Sequence, residues 1–285
     1  MRSLLALLLW LLTTALLAVA VPATWAQHNV VSVDGYSDLA AGAARNPMLQ
    51  RPMAAELTAQ VASATGASGA QATLLGAAAN SYTSSPAFPG QFAAVNRVAH
   101  RWLFTNDAQG QWVVDLSPML ADSSIRQTLD SFGVQVPTSL QVPVTANESA
   151  GLRPGQLRPV AVWGPWASIG VAVLTAVFAL LTLAASRKRG KMIAALGVSG
   201  LLVGAAGWAG IEIGRRYVDD ALNRTTGNIH EIADVMVGHA VSSMHMWLNL
   251  TLTIGGGLVI VGVIVALLSG LGGSRREEVP ATRRR

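Results

Sequence analysis

VAVWGPWASIGVAVLTAVFALLTLAASRKRGKMIAALGVSGLLVGAAGWAGIEI, residues 160–213, holds two apolar runs separated by six residues, four of them basic. A helix rises 1.5 Å per residue, so about 20 apolar residues cross the hydrocarbon of a bilayer. Residues 160–185 and 192–213 each meet that length, and Glu212 is the one charged residue within either run. Residues 3–26 and 246–271 are two further runs of the same kind. The reading is a four-helix transmembrane bundle. The connection at 186–191 is short and basic, which places it in the cytoplasm by the positive-inside rule. Alternation then puts both termini inside and puts residues 27–159 and 214–245 outside.

Composition agrees with this class. Of 285 residues, 51% are hydrophobic and 12% charged, and mean hydropathy is +0.43. Net charge is +5, which in a soluble chain would suggest nucleic acid as a partner. Here the excess sorts across the membrane. Arg2, the 186–191 loop and the tail at 272–285 together carry ten basic and two acidic residues, +8, leaving −3 for the rest. Orientation accounts for the basic charge, and no nucleic-acid partner is expected. Trp25, Trp163, Trp166, Trp208 and Trp247 fall near the outer ends of the spans, where amphipathic rings collect. The absence of cysteine excludes a disulfide framework, a thiol nucleophile and Cys-ligated metal.

The first run can be read in two ways. Ala18-Val19-Ala20 and Thr24-Trp25-Ala26 offer small residues at signal-peptidase spacing, so residues 1–26 could be a removed signal. The run is longer than the usual signal core, and a single basic residue precedes it. An uncleaved transmembrane anchor is therefore the preferred reading, and either choice leaves 27–159 outside.

The third run has a glycine face. Gly197, Gly200, Gly204, Gly207, Gly210 and Gly214 recur every three or four residues, with two G-x-x-x-G pairs, Gly200–Gly204 and Gly210–Gly214. Such a face lets another helix approach closely. Gly200, Gly204, Gly207, Gly210 and Gly214 are the helix-packing candidates, against this chain's own bundle or, in a homo-oligomer, a second copy. Gly255, Gly256, Gly257 and Gly262 in the fourth run form a candidate counter-face.

The outer segment of residues 27–159 is long enough for a domain. Residues 34–64 read as helix broken near Asn46-Pro47, with Leu39, Met48, Leu49, Met53, Leu57 and Val61 as the apolar set. A loop over 65–69, a short helix over 71–79 and a turn over 81–90 follow. Residues 91–104 restart a helix whose apolar set is Phe92, Val95, Val98, Ala99, Trp102 and Leu103. Residues 111–116 alternate like a strand, Ser117-Pro118 starts a helix running to 132, and 134–144 suits an edge strand. The expected fold class is mainly α, with a mostly helical extracytoplasmic domain carrying a small β element. Residues 214–245 read as an amphipathic helix leading into the last span, packed on that domain or lying at the interface.

Several short elements recur in order: Val33-Asp34-Gly35-Tyr36, Asn46-Pro47-Met48-Leu49-Gln50, Asn96-Arg97-x-x-His100, and Val113-Val114-Asp115-Leu116-Ser117-Pro118-Met119-Leu120. With one span before them and three after, the chain resembles a broad group of actinobacterial four-span membrane proteins with one large extracytoplasmic domain. The resemblance implies this topology and a cell-envelope location, and no reaction. Where that group often has an acidic patch after its first helix, this chain has Arg45 and Arg51.

Candidate chemistry is thin. His230-Glu231-Ile232-Ala233-Asp234 approaches the His-Glu-x-x-His zinc helix, with Asp in place of the second His. His230, Asp234 and His245 could share a helical face as a metal site, with His239 pointing away; an ordinary polar face explains them more simply. Met244-His245-Met246 has copper-type ligands, but neighbours on a helix diverge by about 100°. His100 with Asp107 or Asp115, and Asp115 with Asp122, are dispersed pairs. No nucleophile elbow or P-loop is present. Glu212 is the sole ionisable residue within a span, and an interfacial pair with Arg215 or Arg216 is a simpler role for it than an ion path. The expectation is a non-enzymatic membrane protein without cofactor or metal. It would scaffold or bind an envelope assembly, with membrane lipid and a membrane or envelope protein as partners. A homo-oligomeric channel or transport-complex subunit is the alternative.

Overall fold

The computed structural model describes residues 2–105, 113–115, 123, 126, 141–143, 153–186, 188–223 and 227–273. Their structure is mainly helical: α1 Arg2–Ala26, a π-helical turn Gln27–Val31, α2 Val33–Ala44, α3 Pro47–Thr65, α4 Ala70–Thr83, α5 Phe88–Phe104, α6 Arg158–Ala185, α7 Arg189–Leu222 and α8 Asn228–Gly273. Two three-residue stretches, Val113–Asp115 and Gln141–Pro143, pair antiparallel with Val113 opposite Pro143. The wider strand ranges lie outside the described residues. So does the helix over 117–132, apart from Ser123 and Arg126.

Four helices are long and apolar enough to cross a membrane: Leu4–Val31, Arg158–Ala185, Arg189–Asp220 and Asn228–Ser269. Less than a third of each apolar window is buried. Leucines such as Leu4, Leu8, Leu180 and Leu267 stand more than half exposed, which suits a lipid solvent and no aqueous one. The helices outrun the apolar runs that predict them. α7 already includes Arg189 and Lys191, shortening the expected 186–191 loop, and it continues through Arg215 and Arg216 to Leu222. Arg and Lys are good helix formers, and a backbone hydrogen-bond ladder does not depend on side-chain polarity.

The chain divides into two compact units. A span unit takes Met1–Thr24, Ala167–Ile213 and Met244–Arg285; a head unit takes Trp25–Trp166 and Gly214–Ser243.

In the head unit, local signals set the helix ends. Ser32 caps α2 by accepting from the Gly35 N–H, and Asp34 adds favourable charge in the first turn. Asn46 caps α3 by accepting from Met48 N at 3.0 Å, with Pro47 opening the helix. Gly66, at φ +71°, closes α3 in the left-handed conformation that glycine takes without strain. The turn expected over 81–90 is narrower, since α4 runs to Thr83 and α5 starts at Phe88. Pro89 sits in the first turn of α5, where its missing N–H breaks no helical bond.

The head core joins Ala40, Ala43 and Ala44 of α2, Leu49, Met53, Leu57 and Val61 of α3, Leu75, Ala78 and Tyr82 of α4, and Phe88 and Phe92 of α5. Tyr82 and Phe88 meet edge-on at 5.6 Å. Ile232, Val235 and Met236 of α8 pack against this cluster, so the 214–245 segment contributes to the head core. Two expected core residues face out: Met48 is 65% exposed and Val98 54%. The returning chain satisfies the end of α5, with Gly155 N donating to Trp102 O and Leu157 N to Leu103 O, both at 3.0 Å.

Candidate functional site

The two short elements at 33–36 and 96–100 meet in the head unit. Arg97 Nη2 lies 3.2 Å from Asp34 Oδ1 and donates to Ser37 Oγ at 3.3 Å. The Tyr36 hydroxyl donates to Asn96 Oδ1 at 3.4 Å, and Asn96 is steadied by its own bond to Phe92 O at 2.9 Å. His100 is 5% exposed. Its ring stacks on Phe104 at 4.2 Å and 9° and meets Tyr36 at 5.2 Å. His100 Nε2 lies 2.9 Å from the carbonyl oxygen of Val30, so the nitrogen is the donor. Residues 96 and 97 both lie one turn before residue 100 on α5, and 34, 36 and 37 lie in the first turns of α2, which makes the pairing possible.

The π turn shapes this cluster. Ser32 N donates to Gln27 O, five residues back, at 3.0 Å, a wider loop than an α-helix forms. A Cβ on Gly35 would coincide with the His28 carbonyl oxygen, so only glycine permits α2 to approach the turn so closely. Burial lowers the His100 pKa below its ordinary 6.5, partly opposed by the carbonyls of Val30 and Val31. Burial also raises the Tyr36 pKa above 10.0. Both groups are therefore neutral near pH 7. A neutral imidazole held by a carbonyl and two rings acts as a clasp between α5 and the turn that precedes α2.

The glycine face of α7 forms a seam with α8 inside the span unit. A Cβ on Gly190 would lie 2.5 Å from Ala266 N. On Gly197 it would lie 2.5 Å from Val259 N, on Gly200 3.0 Å from Gly255 Cα, on Gly204 2.5 Å from Leu252 Cγ, and on Gly207 2.5 Å from Leu248 Cδ2. Gly255 and Gly262 answer from α8, against Gly200 and Ala194. From Gly197 to Gly207 the contacts step by three and four residues while their α8 partners run backwards from Val259 to Leu248, an antiparallel seam. Gly210 and Gly214, two of the five packing candidates, have nothing within 4 Å of such a Cβ, nor do Gly256 and Gly257.

The other candidates separate. His230 Nδ1 donates to Leu222 O at 2.8 Å, and Asp234 is exposed. The His245 ring stacks on Trp208 at 3.7 Å and 6°. Met244 is buried while Met246 is 71% exposed. Among the described residues no group of three His, Cys, Asp or Glu could hold a metal ion. His239 lies against α2, its Nε2 occupying the place a Gly42 side chain would take. Glu212, Arg215 and Arg216 are exposed. Asp107, Asp122 and the side chain of Asp115 lie outside the described residues.

Sequence reading missed Trp10, Thr13 and Thr14 on α1. Their i, i+3, i+4 spacing was the available signal. It missed the Val30 carbonyl as well, because no side-chain pattern announces a backbone acceptor. Arg45 and Arg51, by contrast, are exposed on either side of Met48, and neither forms an ion pair among the described residues.

No family model, curated protein or solved structure matches the chain.

Proposed function

We propose that this chain is a non-enzymatic binding or scaffolding component of an actinobacterial cell-envelope assembly. Four spans would anchor it in the plasma membrane, and the mostly helical head would be displayed outside. The positive charge at 186–191 and in the tail supports that orientation. The paired stretches 113–115 and 141–143 would be the centre of the head's small β element.

The observation that carries the reading is the corner where α2 meets α3. Arg45, Met48 and Arg51 project there, with Met48 65% exposed and both arginines without a carboxylate partner among the described residues. Two guanidinium groups beside an exposed thioether suit an acidic partner segment that also presents an apolar side chain. The elements at 33–36 and 96–100 are engaged with each other, whereas this corner is free to meet a partner.

The test is a photo-crosslinking residue at Met48 in cells, with the same residue at exposed Gln71 as control. The expected result is one dominant envelope-protein adduct at 48, absent at 71, and lost when Arg45 and Arg51 are changed to Glu. Adducts equal at both positions, or only lipid adducts, would defeat the reading. The alternative, a homo-oligomeric channel or transport subunit, loses much of its motive, because Gly197, Gly200, Gly204 and Gly207 of the α7 face lie against α8 of the same chain. An adduct of two copies of this chain at 48 would revive it.

A further inference from the structure

We infer that α1 is a permanent member of the span unit, and that neither Ala18-Val19-Ala20 nor Thr24-Trp25-Ala26 is a processing site. The inference does not depend on the function proposed above.

α1 carries one polar edge on an otherwise leucine-rich helix. Trp10 Nε1 donates to the Ala195 carbonyl of α7 at 2.8 Å. Thr14 Oγ1 and Ser199 Oγ of α7 are 2.7 Å apart. Thr13 Oγ1 lies 3.4 Å from Thr182 Oγ1 of α6. Thr13, Thr182 and Ser199 are 2%, 0% and 1% exposed. The protons balance at the closer pair. Thr14 donates to Trp10 O at 2.9 Å, so Ser199 donates to Thr14. The Ala195 oxygen accepts the indole N–H and, with its second lone pair, shares the Ser199 proton at 3.3 Å. An indole N–H in hydrocarbon needs such an acceptor. A signal core that is cut away needs only to be apolar, whereas this edge is matched to two other helices.

The chain around both motifs is also tied into helix. Ala20 is 6% exposed and lies within α1. Beside Ala26, Trp25 Nε1 donates to Ser243 Oγ at 3.2 Å, and the Trp25 carbonyl accepts from Asn29 Nδ2 at 2.9 Å. Proteases act on exposed segments that can open, and opening here would break these bonds.

The chain has no cysteine, so a Thr14→Cys/Ser199→Cys variant can form one intramolecular disulfide and no other. Carrying a C-terminal tag, it is oxidised in membranes, purified and weighed intact before and after reduction. The expected result is full-length mass in both states, lighter by two hydrogens when oxidised. Release of a peptide ending at Ala20 or Ala26 on reduction would overturn the inference. A pair that stays open under oxidant would overturn it too, because the 2.7 Å contact would then not exist. If the variant does not accumulate, the intact mass of the tagged unsubstituted chain decides: a mature start at Val21 or Gln27 is the contrary result.

Discussion

The head unit and the span unit each cohere by a different means. The head buries large side chains, with Leu49, Tyr82 and Phe88 at 1% exposure or less. The span unit buries few, and its helices meet through glycines and hydroxyls. Water rewards the head for hiding a phenyl ring. Lipid is as apolar as the ring, so the span unit gains from close contact and from satisfied polar groups. One chain thus follows two packing rules, and the solvent around each unit selects between them.

Phe88→Ala should separate the rules most sharply. Removing a fully buried ring costs about 3–5 kcal/mol, so the head should become protease-sensitive in membranes while the spans stay intact. Loss of α6–α8 in the same digest would show that the units do not hold separately.

Gly197→Leu should strike the other side. Its added carbons would meet the Val259 nitrogen and Gly255 oxygen, backbone atoms that cannot swing away, at a cost of about 1–3 kcal/mol or more. Gly210→Leu, facing open space, should leave thermal unfolding in detergent nearly unchanged. Equal effects at the two positions would remove the seam as the cause.

Acid should weaken the head, and by less. His100 has a folded pKa below its ordinary 6.5, so the unfolded chain takes up the proton first. Head stability is full above about 6.5 and falls as pH drops through the folded pKa. A His100→Gln variant should lose that part of the slope, measured by urea unfolding across pH 5–8. An unchanged slope would place the titration elsewhere.

Asp34→Asn should do least. The ion pair with Arg97 joins side chains 76% and 41% exposed, and such pairs contribute about 0–1 kcal/mol, screened by salt. A loss that persists in high salt would mean Asp34 acts through the first turn of α2 more than through Arg97.

The sequence discloses what one helix says about itself and little of what two helices say to each other. The four spans and the Asn46-Pro47 break are legible because length, apolarity and capping are local. The glycine face was visible, yet its extent was not. Gly210 and Gly197 look alike on a helical wheel, and only the position of α8 leaves the first open. His230, Asp234 and His245 share a face by spacing but turn to different neighbours, a carbonyl for one and an indole for another. The clasp at His100 was hidden because its acceptor is a backbone oxygen.

The α7–α8 seam also fixes register by shape. Leu248 and Leu252 fill the places left by Gly207 and Gly204, while Val259 lies over Gly197 and Gly262 over Ala194. A slip of one turn would bring Val259 onto the methyl of Ala194, a clash that the present register avoids. The hairpin therefore behaves as a single stave. α1 joins this stave and α6 by a different device, two hydroxyl pairs and an indole, which specify partners by proton and lone pair where the seam specifies them by shape.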